Sequence, residues 1–478
     1  MPLAPRRMSV ATNRDRPPPL KGWNARDPVS SMEPGYAIRL DNWICRSDGL
    51  HLRPGKEAWV TGLGAAVQSL MGWGGLGSFQ KLFAATPTAI YDVTVRRPSG
   101  APTAAVTGLT SGVWSSAVLP NPGGAFLLAC NGSDAYRVFN GTQWLTPTIS
   151  GVSSTSLKQV AVYMKRPIFT EKGTLNLWYL DVHSIGGTAY PIYLAPLCTL
   201  GGEVIAVASQ SMDGGRGEND RLIAVTSMGE IVVYAGVDPA NHDSFKAIGV
   251  FSVPQPIGER CLIQNGPDIL IATIAGLLPL SMVLAKPDPE KPIVAASDDI
   301  REAYNRLARG SKSSVLWGGA ESSLLRATIV NVPTYSGSTQ LVMSADTKGW
   351  SNFSGLNALC WGACDNDIFF GTADGKVYRL GGVSDAGEPI AALAIEAYSR
   401  MGADRRKTFS RIRPIFNQRI SAHVNMQLAL DYQAKFPELE ALETPIENWS
   451  WGSITWPLTP AQWSRREVSV VNSWRGIS

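Results

Sequence analysis

A weak motif that returns roughly every 40 to 50 residues constrains the fold of this chain more than any other feature. Its form is an apolar strand, a small or polar turn, and a second apolar strand. It reads LFAATPTAIYDV from Leu82, LLACNGSDAYRV from Leu127 and, more loosely, IFTEKGTLNLWYL from Ile168. It returns as LIAVTSMGEIVVYA from Leu222, ILIATIAGLLPLS from Ile269 and IFFGTADGKVYRL from Ile368. The starts are about 45, 41, 54, 47 and 99 residues apart, the last step being two periods around one degenerate unit. Repeats of this length are those of propeller blades, each a four-stranded sheet. Each copy is expected to be the inner hairpin of a blade. The competing architecture is a β-sandwich built from similar hairpins.

Other signals fit around this frame. Trp114, Trp144 and Trp350 precede three of the hairpins and are expected to wedge between blade faces. One helix interrupts the strands in the degenerate unit. Ser297, Asp298 and Asp299 cap it, Ile300, Tyr304 and Leu307 make its apolar stripe, and Gly310 stops it. The most apolar run, residues 269–285, is broken by Gly276 and Pro279 and is short for a membrane span, so two buried strands are expected there. The 47 glycines and 32 prolines, with only 17% charged residues, suit many tight turns and few surface helices.

The chain therefore divides into a basic, Pro-rich arm (1–21), an N-terminal segment of turns and short strands (22–78), a β-propeller-like domain (79–387) with a helical insertion near 297–310, and a β-rich, Trp-rich C-terminal module (388–478). In the last, Val424, Met426, Leu428 and Leu430 alternate as in a strand with one buried face. The expected fold class is mainly β: an irregular β-propeller with an additional β-rich C-terminal module and few short helices. The arm is expected to gain order from a neighbouring subunit. It is rich in Arg and Pro and lacks the apolar stretch of a secretory signal.

Catalysis needs convergent polar groups, and the sequence shows none at a recognisable spacing. His51, His183, His242 and His423 stand apart, and neither a G-x-S-x-G elbow nor a P-loop occurs. Cys45, Cys130, Cys198, Cys261, Cys360 and Cys364 are scattered, the pattern of free buried thiols rather than of a disulfide framework. Cys360 and Cys364 have no second pair at zinc-site spacing. Residues 212–220, MDGGRGEND, lack the ligand alternation of a calcium loop and read as a polar loop, as does Asp288-Pro289-Glu290. No pair of carboxylates points to glycoside hydrolysis. The chain is expected to be catalytically inert, with no catalytic, cofactor-binding or metal-binding residue and no cofactor.

The formal charge of +4 is too small to be an electrostatic footprint for nucleic acid by itself. The densest cations are Arg400, Arg405, Arg406, Lys407, Arg411 and Arg413. They can face phosphates, pair with acids on a neighbouring subunit, or solvate a strand edge. Their mixture with Phe409, Ile412 and Ile415 suits an assembly interface.

Residues 22–55 read GWNARDPVSSMEPGYAIRLDNWICRSDGLHLRPG. Pro34-Gly35 marks a turn, and Leu50 and Leu52 alternate with His51 and Arg53 toward a strand ending at Pro54-Gly55. Trp43 is expected in a core, and Asp27 and Asp41 in turn or cap hydrogen bonds. In order the string carries Gly-Trp-Asn, Arg-Asp-Pro, Met-x-Pro-x-x-Ala, Leu-Asp-Asn-Trp and Leu-x-Leu-Arg-x-Gly. It resembles the opening of the tail nozzle, or tail-hub, proteins of short-tailed bacteriophages, also called tail tubular protein B or packaged-DNA stabilisation proteins. A looser likeness extends over most of the chain, including the basic strands and Trp-rich end.

The resemblance implies a structural virion protein, located in the virion tail and assembled in the host cytoplasm. It implies a homo-hexameric ring below an adaptor ring beneath the portal, with tail fibres or spikes as further partners. That ring would retain packaged double-stranded DNA and pass it on ejection. It marks Trp23, Arg26, Asp27, Pro28, Asp41, Asn42 and Trp43 as structural motif residues. Physics adds that the axis of one propeller is too narrow for a duplex, so DNA requires a lumen between subunits. The alternative is a propeller-fold glycan-acting enzyme or receptor-binding tail module, which needs a carboxylate cluster at the propeller axis.

Overall fold

The computed structural model describes residues 16–74, 80–211, 220–241, 243–285, 293–310, 317–335, 337–399, 423–428 and 471–477. The basic residues Arg400, Arg405, Arg406, Lys407, Arg411 and Arg413, with Phe409, lie outside these, as do residues 212–219 and 288–290.

The protein is a β-propeller. Among the described residues it has six four-stranded antiparallel blades and one three-stranded sheet. Blade 1 is Ser69–Gly74, Gln80–Ala85, Ala89–Asp92 and Ala104–Thr107. Blade 2 is Ser115–Asn121, Gly124–Cys130, Arg137–Phe139 and Trp144–Leu145. Blade 3 is Leu157–Tyr163, Arg166–Glu171, Asn176–Tyr179 and Tyr190–Tyr193. Blade 4 is Val204–Ser211, Asp220–Thr226, Glu230–Ala235 and Lys246–Ser252. The three-stranded sheet follows, Leu262–Asn265, Asp268–Thr273 and Gly276–Pro279. Blade 5 is Gly318–Ser322, Ala327–Thr334, Gly337–Ser344 and Trp350–Phe353. Blade 6 joins Ala358–Cys364, Asp367–Thr372 and Val377–Leu380 to Lys56–Val60 from the N-terminal segment.

Every copy of the sequence repeat is a hairpin, but it forms the second and third strands of its blade rather than the innermost pair. The reason is burial. Middle strands are covered on both faces, so they read as continuous apolar runs. In blade 4, Leu222 and Ala224 pack toward blade 3, while Ile223 and Val225 pack toward the three-stranded sheet. Innermost strands such as Gly318–Ser322 carry small and polar residues and leave a weaker pattern. The turn is marked as well. Thr86, Thr273 and Thr372, all buried, donate their hydroxyls to Ala89, Gly276 and Lys376 carbonyls at 3.2, 2.8 and 3.1 Å. The degenerate unit of the repeat is blade 5, whose middle strands are eight residues each.

Apolar clusters fill each gap around the ring. Phe83 and Phe139 join blades 1 and 2, Tyr136 and Phe169 join 2 and 3, and Tyr163 and Tyr234 join 3 and 4. The largest cluster runs from Ile223 through Leu270 to Trp350, across blade 4, the three-stranded sheet and blade 5. Phe353 with Phe370, and Phe369 with Leu82, complete the circle through blade 6 to blade 1. The tryptophans stand between blades as expected. Trp144 lies edge-on to Phe83 at 5.0 Å, Trp114 is buried beside it, and Trp350 is 1% exposed.

Two short helices, α1 (Leu280–Leu284) and α2 (Arg301–Gly310), separate the three-stranded sheet from blade 5. Ile300 and Tyr304 are buried, and the Tyr304 hydroxyl donates to the Thr273 carbonyl at 2.8 Å. Ser297 does not cap the helix; its hydroxyl accepts from the Leu277 amide at 3.0 Å. No helix among the described residues is long and apolar enough to cross a membrane.

The sheet of blade 5 continues outward into nine strands. Gly22–Trp23 and Tyr36–Asp41 add beside Trp350–Phe353, followed by Ala391–Glu396, Val471–Ile477 and His423–Leu428. The described part of the C-terminal module is therefore an extension of this sheet. The end of the N-terminal arm is held by its own chain: Arg16 pairs with Glu396 and donates to the Ala397 carbonyl, and Lys21 pairs with Glu33 at 2.5 Å.

One buried carboxylate gives the fold an acid-sensitive point. Glu230, 3% exposed, accepts from the Thr199 amide and hydroxyl at 2.8 and 2.9 Å and from the Leu200 amide at 3.1 Å. Burial raises its pKa, but these donors outweigh burial and hold the carboxyl below its ordinary value. A depressed folded-state pKa stabilises above the unfolded value and loses that contribution as pH falls through the folded one. Glu230→Gln is expected to cost about 1.5–3 kcal/mol near neutrality. The gap to the parent should shrink below about pH 4. Urea midpoints at both pH values check this; a gap independent of pH would contradict it.

Candidate functional site

The motif residues of the N-terminal string form a clasp on the propeller. Asn24 starts it: its side-chain oxygen accepts the Arg26 and Asp27 amides, both at 2.9 Å, a local Asx turn. That turn aims Arg26 at the start of α2. Its guanidinium reaches Asp298 at 2.6 Å, Asp27 at 2.9 Å and Asp299 at 3.4 Å. The bond from Arg26, with that from Asn24, holds Asp27 below the usual carboxylate range, whereas burial raises Asp299. Pro28 is exposed at the next turn.

Asn42 is the pivot of the second half. It sits at φ 61°, in the left-handed region that asparagine tolerates better than most residues. Its side-chain oxygen accepts from Arg53 at 2.8 Å and from the Ser354 amide at 2.9 Å. Its side-chain amide donates to the Ser354 hydroxyl at 3.1 Å and the Ala391 carbonyl at 2.7 Å. Asp41 beside it accepts from Asn352 at 3.2 Å. Arg53 then clamps Asp385 with both terminal nitrogens, at 2.6 and 2.9 Å. Gly55 follows because nothing larger fits: a Cβ there would stand 1.9 Å from the Ser384 carbonyl oxygen. The string thus ends where Lys56–Val60 closes blade 6.

Trp23 and Trp43 are half-buried, packing against Leu40, Cys45 and Ala394. Trp43 was expected in a core. It lies instead on the short hairpin Trp43–Arg46 with Gly49–Leu52, which has one neighbour rather than a sheet on each side.

The second site is axial. A cavity of about 240 Å³ lies toward the start of the innermost strands, lined by residues from all six blades and the three-stranded sheet. Arg260, just before Leu262–Asn265, reaches across the axis to blade 1. One terminal nitrogen donates to the Gln68 carbonyl at 2.9 Å and the Ser69 hydroxyl at 2.7 Å. Glu259 also lines the cavity, and Lys158 pairs with it at 2.7 Å. Glu259 is the one carboxylate among the lining residues. Sequence reading missed Arg260, which stands alone in GER with no local marker of its reach.

Among the described residues no group of three His, Cys, Asp or Glu stands close enough to hold a metal ion. All six cysteines are free. Burial pushes Cys45 and Cys261 up to about 12 and Cys360 and Cys364 up to about 11, so they stay protonated at neutral pH and are poor nucleophiles.

No protein-family model matches this chain, and no curated protein sequence does. Among solved structures it is similar to the computationally designed Ika8 protein, with a TM-score of 0.38 and 12% identity over 68% of this chain and 100% of that one. It is also similar to BBS1N, solved in complex with ARL6DN, with a TM-score of 0.41 and 12% identity over 70% and 100%. A third is the extracellular domain of the putative hybrid two-component system BT4673 of B. thetaiotaomicron, with a TM-score of 0.43 and 11% identity over 68% of this chain and 40% of that one. None of the three is described as a phage tail component, and at these scores they carry no argument about what this chain does.

Proposed function

We propose that this chain is a structural subunit of a short phage tail, forming the distal nozzle ring that retains packaged DNA and provides the channel for its ejection. The observation that carries the reading is the clasp. The string that resembles the nozzle family is a fold-determining segment. Asn24, Arg26, Asp27, Asp41, Asn42 and Arg53 are all hydrogen-bonded within the chain, joining α2, blade 5 and blade 6. The resemblance therefore concerns architecture, and its residues act as structural parts rather than ligand contacts.

The axis adds a geometric condition. Arg260 crosses it, and the cavity there is about 240 Å³. A duplex has to pass outside the propeller, in a lumen enclosed by several copies arranged head to tail. On this reading the partners are further copies of the chain in a hexamer, an adaptor ring below the portal, and fibres or spikes. The place of action is the virion tail after assembly in the host cytoplasm. Arg400, Arg405, Arg406, Lys407, Phe409, Arg411 and Arg413 belong to the contacts between subunits or rings. The outer strand of blade 4 is a further contact face, because Ile248 and Val250 are 50% and 40% exposed on an edge with no strand beside it among the described residues.

Negative-stain imaging of the purified protein, alone and with a portal–adaptor assembly, tests the reading. Six-fold rings with a central lumen, or rings formed on the adaptor, are expected. Ile248→Asp with Val250→Asp should weaken them while leaving the melting curve of the subunit in place. A monomer that neither forms rings nor binds the adaptor, and that cleaves polysaccharide, would replace this reading with the propeller-enzyme alternative.

A further inference from the structure

We infer that the axial cavity is a binding site for a small oxyanion, a carboxylate or phosphate group, with Arg260 as its anchor. The site is built from chain segments far apart in sequence, brought together only by ring closure. Arg260 uses one terminal nitrogen on the Gln68 carbonyl and Ser69 hydroxyl, which fixes the guanidinium across the axis. Its Nε and other terminal nitrogen make no hydrogen bond with the described residues, and among these no carboxylate lies within ion-pair range of it. Arg260 lines the cavity and is half-buried there.

A guanidinium drawn well inside a protein normally takes a carboxylate partner, because desolvating an unpaired ion is costly, and Arg260 is half-buried. Arg53 in this same chain shows that solution, clamped on Asp385. Arg260 does not. Burial lowers its pKa, with Cys360 and Glu259 acting in the other direction. The nearest acid, Glu259, is neutralised by Lys158 at 2.7 Å. The donors left open, Nε and one terminal nitrogen, lie on different edges of the guanidinium, so an oxyanion here takes a charge-assisted hydrogen bond from one of them rather than a two-pronged clamp.

The neighbouring blade 3 supplies a second polar group. Gln159 of blade 3 lines the cavity, and its carboxamide makes no hydrogen bond with the described residues. Leu70, Val113, Val160, Val207 and Leu262 form the apolar part of the wall. Most of the surface that the cavity presents is polar, which suits a small charged ligand rather than an apolar one. The volume of about 240 Å³ restricts the ligand to a small organic acid, a small phosphate ester or the free ion. This inference does not depend on the tail assignment, because it concerns one subunit.

Isothermal titration of the full chain with sodium succinate and, separately, with inorganic phosphate tests it. Saturable one-to-one binding of at least one probe is expected, the stronger arm identifying the oxyanion class. Arg260→Met should weaken that binding by at least about 30-fold. Gln159→Leu, which breaks no hydrogen bond of the fold, should weaken it by about 3-fold to 10-fold and keeps the test usable if Arg260→Met does not fold. Heat signals that fail to saturate for both probes, or binding unaffected by Gln159→Leu and by any folded Arg260 variant, would overturn the assignment.

Discussion

Replacing Arg53 with methionine is expected to destabilise the protein by about 3–5 kcal/mol, the range for breaking a buried ion pair from one side. The side chain is 1% exposed and all five of its N–H donors are used. Nε donates to Asn42; one terminal nitrogen donates to Asp385 and the Pro54 carbonyl; the other donates to Asp385 and the Ser354 carbonyl. Methionine matches the length but leaves Asp385, 13% exposed, without its counter-charge. Asn42 then loses one of its four side-chain hydrogen bonds. Lysine restores a point charge but not the fork, so Arg53→Lys should recover only part of the loss. Arg53→Met with Asp385→Asn should be less destabilised than Arg53→Met alone, because the orphaned charge is gone. Urea midpoints at constant slope measure all three. A loss within about 1 kcal/mol for Arg53→Met would mean that water takes over these partners, as at an exposed pair.

The repeat was legible because its strands are covered on both faces and end in a buried turn residue. Leu222 to Val225 contributes side chains to two blade interfaces at once, so four consecutive apolar residues had to appear in sequence. Blade 5 was harder to read because its second strand, ATIVNVPT, places Asn331 and Pro333 inside the run. Asn331 is buried there, accepting from Gln340 at 3.0 Å and Trp361 at 3.2 Å, which no local pattern announces.

The clasp and the axial site were illegible for another reason. Arg53 and Asp385 are 332 positions apart, and Arg260 and Ser69 are 191 apart. Periodicity reports which face of an element is covered, not which distant element covers it. The string at residues 22–55 could be picked out as unusual, yet what its residues do depends on Ser354, Asp385 and Asp298. Those partners lie on loops and a helix start with no periodic signature. The overestimate of Trp43 burial has the same origin, since an indole beside apolar residues looks the same in a core and on a two-stranded hairpin.

Trp350→Ala is the second large effect, and it separates the two kinds of tryptophan. Trp350 is 1% exposed in the cluster that joins blade 4, the three-stranded sheet and blade 5. Its indole N–H donates to the Ala296 carbonyl at 2.9 Å, tying the segment before α2 to the outer strand of blade 5. Its backbone faces Gly22, where a Cβ would approach the Trp350 amide to 2.4 Å, so the residue is fixed from both sides. Little room exists for the surroundings to collapse, which places the cavity cost at the upper end of about 3–5 kcal/mol for a buried large-to-small change. Loss of the Ala296 bond adds an unsatisfied carbonyl, and Trp350→Phe should show that contribution with less of the cavity. The same substitution at half-buried Trp43 is expected to cost less, because part of that ring already meets water. Equilibrium unfolding of the three variants, followed by far-UV and near-UV circular dichroism, orders them. If Trp43→Ala proved as costly as Trp350→Ala, the short N-terminal hairpin would have to be a principal packing element rather than a cover on the added sheet.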